Sequence, residues 1–226
     1  MTRKDIFFKI AFYIVLAILF AICATVIILI TAGYKVDIKN HEITQTGIVI
    51  VKTLDKDCEI YLDENLVDKE KTVIRNLDPG FYNVLVKKGE YQSFKNHFYL
   101  NPGEAKIIDN VALFLEHPQI AEFTESDKVL FEKLSDTSGL ATSGGELFIN
   151  DQFLTRFENK IQDVCWYPND RFLGLTVEDY FKVVDIETLN EFPLFEKKSN
   201  KPAVFIDSGK TVLFESEGKI FSAKIR

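Results

Sequence analysis

Histidine and cysteine are scarce in this chain, at three each in 226 residues, and methionine and tryptophan occur once each. His41, His97 and His117 lie far apart, and none stands four residues from another as a helical metal pair requires. Cys23, Cys58 and Cys165 form no CxxC, so the sequence holds neither a short thiolate metal motif nor a vicinal redox pair. Cys58 and Cys165 are expected as small buried hydrophobes rather than as a disulfide joining two separate segments. No GxSxG, P-loop or GxGxxG stretch occurs. Ser143-Gly144-Gly145-Glu146 lacks the lysine and the following helix of a phosphate loop. Asp63-Glu64-Asn65 lacks the ligand spacing of a calcium loop. No catalytic residue, metal ligand or cofactor is therefore assigned.

An excess of basic charge is missing too. Against 27 Lys and Arg stand 34 Asp and Glu, a net charge of -7. That argues against a nucleic-acid partner, whose binding surface would be basic, and against electrostatic adhesion to anionic lipid. A self-repelling soluble ectodomain fits better. Among the acidic residues, Asp163 and Glu178-Asp179 fall at strand edges or turns and are expected on the solvated surface.

What the chain does have is a long apolar run. Ile10 to Ala32 covers 23 residues without a charge, with only Thr25 and Thr31 carrying a hydroxyl apart from Tyr13. As a helix rising about 1.5 Å per residue, it is long enough for a hydrocarbon core of about 30 Å. A cleaved signal peptide is the alternative, but its apolar region is normally about 7–15 residues, and Ile30-Thr31-Ala32 is a poor cleavage site. Residues 1–9 form a short N-terminus carrying Arg3, Lys4 and Lys9, and 10–33 a transmembrane helix. The basic N-terminus and the long following chain place the N-terminus in the cytoplasm and the rest outside.

From 46 to 115 the chain reads as short strands divided by turns. Gly47 to Lys52 is β-branched, and Cys58 to Asp63 and Phe81 to Val86 alternate with period two. Asn76-Leu77-Asp78-Pro79-Gly80 and Asn101-Pro102-Gly103-Glu104 are strong turn signals. About six strands without a helical pattern predict a small antiparallel β-sandwich. Ile60-Tyr61-Leu62-Asp63, the Leu77-Asp78-Pro79-Gly80-Phe81-Tyr82-Asn83-Val84 stretch, Lys87-Lys88-Gly89-Glu90-Tyr91 and Asn101 to Glu104 together resemble a PEGA domain, from about Gly47 to Leu115. The front half departs from that family, with Asp55 to Cys58 in place of Pro-x-Gly-Ala and Glu64 in place of a glycine. The resemblance implies a surface-exposed, envelope-anchored binding or spacer module without catalysis.

From 139 to 226 the sequence repeats. Shifted by 39 residues without gaps, Asp163 to Ile186 meets Pro202 to Ile225: Trp166 meets Phe205, Pro168 to Arg171 meets Asp207 to Lys210, and Phe181 meets Ile220. A weaker copy ends at Gly144 to Asp151. The period and the strand–turn–strand pattern resemble WD40-like β-propeller blades, without the usual Gly-His and Trp-Asp signatures; a plain meander is the alternative. A propeller closes with four to eight blades, and this segment has material for about two, an incomplete propeller-like region. Self-association through the repeats is one way to cover its edges. Ser126 to Leu134 reads as a short helix or as a first blade strand.

The expected fold is thus mainly β: one transmembrane helix, a PEGA-like sandwich, then blade-like repeats. Tyr82, Tyr91, Phe94 and Tyr99 are the candidate binding residues, as exposed aromatics suited to stacking on a cell-wall glycan or a protein partner, the alternative being packing between strands. Trp166 is expected in the core. The expected function is a non-catalytic membrane-anchored extracytoplasmic binding or scaffolding module, with the lipid bilayer as partner through residues 10–32. The alternatives are a ligand-sensing ectodomain of a membrane signalling complex and a cell-wall polymer hydrolase; the last requires clustered carboxylates that the sequence does not display.

Overall fold

The computed structural model describes residues 3–37, 42–67, 72–122 and 137–226. The segment Ser126 to Leu134 and His41 lie outside them. The chain is mainly β with one N-terminal apolar helix and several small antiparallel sheets.

Helix α1 runs Arg3–Thr31. Within it, Phe12–Thr31 is long and apolar enough to cross a membrane, and none of it is buried. The two threonine hydroxyls are satisfied inside the helix: Thr25 Oγ1 donates to the Ala21 carbonyl and Thr31 Oγ1 to that of Ile27, both at 2.9 Å. They therefore need no water. Gly33 ends the helix in the left-handed region at φ 81°, its N–H on the Ile30 carbonyl, a conformation only glycine adopts cheaply.

The remaining elements are strands. The hairpin β1 (Tyr34–Asp37) and β2 (Glu42–Gln45) follows the helix. Next come β3 (Gly47–Thr53), β4 (Glu59–Leu62), β5 (Asn65–Leu66), β6 (Val73–Leu77), β7 (Gly80–Lys87), β8 (Phe94–Leu100) and β9 (Ala105–Val111). They form two sheets, of order β6-β3-β9 and β5-β4-β7-β8. The period-two reading holds along β7 and β8: Val84, Val86, Phe94, Phe98 and Leu100 are buried while Phe81, Asn83, Lys95, His97 and Tyr99 are exposed.

The last part holds β10 (Gln119–Glu122), β11 (Leu140–Ser143), β12 (Glu146–Ile149), β13 (Gln152–Arg156), β14 (Ile161–Trp166), β15 (Phe172–Val177), β16 (Tyr180–Asp185), β17 (Glu191–Glu196), β18 (Val204–Ile206), β19 (Thr211–Ser216) and β20 (Lys219–Lys224). The 39-residue shift maps β15 onto β19 and β16 onto β20 end to end. The sheets are β11-β12-β13, β14-β15-β16-β17 and β18-β19-β20-β10. In the last, β10 takes the outer position that β17 holds in its counterpart. A propeller is not formed among the described residues; three small sheets are fewer than the four blades that closure normally needs.

Two-residue turns at Asp63-Glu64, Asn150-Asp151, Glu178-Asp179 and Glu217-Gly218 have positive φ at both positions. This is the type I′ geometry whose twist suits a hairpin. Rings fill the core of the repeats. Phe181, Phe195, Phe214 and Phe221 form a stacked run with centroids 5.1, 4.4 and 5.5 Å apart. Trp166, expected in the core, packs against the cluster that includes Leu147, Val164 and Leu173 but is itself only half-buried, its Nε1 donating to the Ser138 carbonyl at 2.9 Å. The neighbouring Tyr167 is the buried ring, in edge-to-face contact with Phe114, Phe172 and Phe205. Cys58 and Cys165 are buried free thiols.

By compactness the chain divides into two units. One comprises Met1–Val51, Lys71–Tyr82 and Phe98–Ile108; the other comprises Lys52–Glu70, Asn83–His97 and Asp109–Arg226.

Candidate functional site

The four aromatic candidates are divided between the two compact units. Tyr82 and Tyr99 belong to the first unit, Tyr91 and Phe94 to the second. Tyr82 is half-buried; its hydroxyl donates to the Asp78 carbonyl at 2.7 Å, and its ring lies 6.4 Å from Phe98. Tyr99 is 47% exposed and meets Phe81 edge to face, centroids 5.0 Å apart. Tyr91 is half-buried with the Lys88 ammonium 4.8 Å above its ring. Phe94 corrects the expectation of an exposed aromatic: it is fully buried, with the Arg171 guanidinium 5.5 Å from its ring. Its place in the alternation of β8, in step with Phe98 and Leu100, is the physical reason. The same alternation turns Phe81 outward, 69% exposed; sequence reasoning passed over it although its strand position carried the signal.

In the second unit, a cavity of about 540 Å³ opens among Glu64, Asn83, Lys95, His97, Glu187 and Asn190. The outward positions of β7 and β8 supply Asn83, Lys95 and His97, and the loop after β16 supplies Glu187 and Asn190. His97 Nδ1 and Asn83 Oδ1 stand 2.7 Å apart, and the Asn83 N–H donates to Asp63 Oδ1 at 2.8 Å. The Asn190 amide donates to Thr188 Oγ1 at 2.7 Å and to the Lys95 carbonyl. Amide, imidazole, ammonium and carboxylate groups on one concave face suit a hydrogen-bonding polar ligand. Sequence motifs did not reveal this groove, because its residues come from four separate segments. Among the described residues, no group of three His, Cys, Asp or Glu is placed to hold a metal.

Buried charge is the second feature that sequence reading missed. Asp163, expected on the surface, is buried beside Lys197, which is fully buried. Lys197 Nζ donates to Asp163 Oδ2 at 2.7 Å and to the Ser199 carbonyl at 2.6 Å. Burial raises the Asp163 carboxyl above the ordinary range, and the Lys197 charge opposes that rise. Nearby, burial pushes the Cys165 thiol far up, which makes it unreactive. Arg171 donates through Nε and Nη2 to Asp185 Oδ2, at 3.1 and 2.9 Å. Asp185 Oδ1 in turn accepts the N–H of Glu187 at 2.9 Å. Arg226 joins Tyr167 Oη at 2.7 Å to Asp55 Oδ1 at 3.1 Å. Tyr167 is raised by burial, against the opposing charge of Arg226. Each pair brings opposite charges together inside the protein, while Asp163 Oδ1 and Arg226 Nε have no hydrogen-bond partner among the described residues.

In the first unit, a crevice of about 580 Å³ lies at the helix end, between Val26, Leu29 and Ile30 on one side and Tyr34, Thr46 and Asn76 on the other. No protein-family model matches this sequence, and no curated protein matches it.

Proposed function

We propose that this chain is a single-pass membrane protein that holds a non-catalytic binding or scaffolding module on the outer side of the cell membrane. The observation that carries the reading is the helix Phe12–Thr31, apolar along its whole length and nowhere buried against the rest of the protein. Bare apolar surface on every face of a helix is stable in lipid and costly in water. In this reading the N-terminus stays in the cytoplasm. Strands β3 to β9 are the strands of a PEGA-like module, and the four-stranded meanders β14 to β17 and β18-β19-β20-β10 are blade-like units. Supporting the first point, the turns at Asp78-Pro79-Gly80 and Asn101 to Glu104 lie where that family has its turns, with Gly103 at φ 71° as a Pro-Gly turn demands. Supporting the second, the 39-residue repeat is strand for strand. The polar groove about Asn83 and His97 is the surface offered to a glycan or a protein.

The test is alkaline extraction of membranes carrying the full chain, followed by protease added to intact cells stripped of their outer layers. The chain is expected to stay in the membrane pellet, and its β-part to be cut from outside. Release into the alkaline supernatant, or a mature N-terminus beyond Ala32, would replace the anchor with a secretory signal.

A further inference from the structure

We propose that the β-structure next to the helix does not stand clear of the bilayer but lies in its headgroup layer, seated there by the aromatic pair Phe81 and Tyr99. The inference rests on the membrane-anchor reading and adds to it a lipid-contact surface on the β-part itself.

The chain leaving the helix is tied to two turns. Lys35 Nζ donates to Asp78 Oδ2 at 2.8 Å, fixing the Asp78-Pro79-Gly80 turn. The Gln45 side chain lies against Gly103 of the Asn101 to Glu104 turn, where an added Cβ would come within 2.7 Å of it. Thr46 closes the loop, its N–H and hydroxyl both donating to the Gly33 carbonyl at 2.8 and 2.7 Å. Asn76 lines the crevice at the helix end together with Val26, Leu29 and Ile30. The 20 residues of Phe12–Thr31 reach about 30 Å at 1.5 Å per residue, the whole hydrocarbon core, so the turn held by Lys35, four residues past Thr31, belongs to the headgroup layer.

Phe81 and Tyr99 follow at once, one residue after Gly80 and two before Asn101. Their rings are in edge-to-face contact, and both stay largely exposed. Aromatic rings with an apolar body and, for tyrosine, a polar tip are favoured at headgroup level. Here Phe81 stands three residues beyond Asp78, the partner of Lys35, which is itself four residues past the end of the helix. The occupant is lipid, and the contact is apolar rather than ionic, because a chain of net charge -7 is not drawn electrostatically to an anionic surface.

The test uses the full chain in phosphatidylcholine vesicles, with the native tryptophan removed (Trp166→Phe) and a reporter placed by Phe81→Trp. Tyr99→Trp is the second reporter should the first fail to fold. Lipids brominated near the headgroup should remove most of the emission at 81 and 99, and do so more than lipids brominated near the chain end. The loss should be the same in low and high salt. Unquenched reporters on a chain that still floats with the vesicles and resists alkaline extraction overturn the docking and leave the anchor standing. A chain that does not float overturns both. Equal quenching by lipids brominated near the headgroup and near the chain end overturns the aromatic pair as a headgroup contact.

Discussion

Replacing Lys197 with methionine should reveal how much the repeat region depends on one buried ion pair. The side chains of Lys197 and Asp163 are 0% and 2% exposed and meet at 2.7 Å. Removing one partner leaves the other charge buried without compensation, a loss of about 3–5 kcal/mol at neutral pH. With a urea slope of about 2–3 kcal/mol per M, the midpoint falls by about 1–2 M. Burial already raises the Asp163 carboxyl, and Lys197 opposes that rise. The methionine variant removes the opposition, so the carboxyl rises further. A carboxyl raised in the folded state binds its proton more tightly there than in the unfolded chain. Its contribution to stability is present below the unfolded value, about 3.9, and is lost as pH rises through the folded value. The deficit of Lys197→Met is therefore largest at neutral and alkaline pH and shrinks as the pH falls towards the ordinary carboxylate range. The double variant Asp163→Leu with Lys197→Met leaves no unpaired charge and should recover most of the loss. The assay is urea unfolding of the detergent-solubilised chain at several pH values, followed by the single tryptophan, Trp166, three residues along the strand from Asp163. A single-variant loss below about 1 kcal/mol, or a double variant that loses the sum of the two singles, would refute the reasoning.

The same assay checks two further substitutions. A Cβ at Gly174 would lie 2.7 Å from the rings of both Phe181 and Phe205, so Gly174→Ala should cost about 1–3 kcal/mol by overpacking. Arg171→Met strands the fully buried Asp185 without its cation and should cost about 3–5 kcal/mol. Arg171→Lys should recover only a minor part, because one ammonium does not reproduce the two guanidinium N–H groups on Asp185 Oδ2.

Much of the architecture was legible along the chain because its signals are local. The uncharged stretch from Ile10 to Ala32 marks a helix that ends at Thr31, and Gly33 stops it for a reason visible in the sequence. Strand alternation in β7 and β8, the turns at Pro79-Gly80 and Pro102-Gly103, and the 39-residue repeat needed no tertiary information. The outward direction of Phe81 and the inward direction of Phe94 were legible in principle, since β8 alternates in step with Phe98 and Leu100. Residue type, which favours aromatics as binding groups, led the other way for Phe94.

Partners distant in sequence were not legible. Gln119–Glu122 has no feature that pairs it with Lys219–Lys224 rather than with a nearer strand; the open edge of β20 selects it. Asp163 sits at a strand position typical of surface carboxylates, and only the arrival of Lys197 beside it makes burial tolerable. The polar groove likewise exists because Glu187 and Asn190 are brought to Asn83 and His97 by the fold. Sequence alone determined what each segment is, since apolar period, turn chemistry and helix length act over a few residues. Only the tertiary structure decided which segments meet, since a strand edge or a buried charge is completed by whatever the packed chain brings to it.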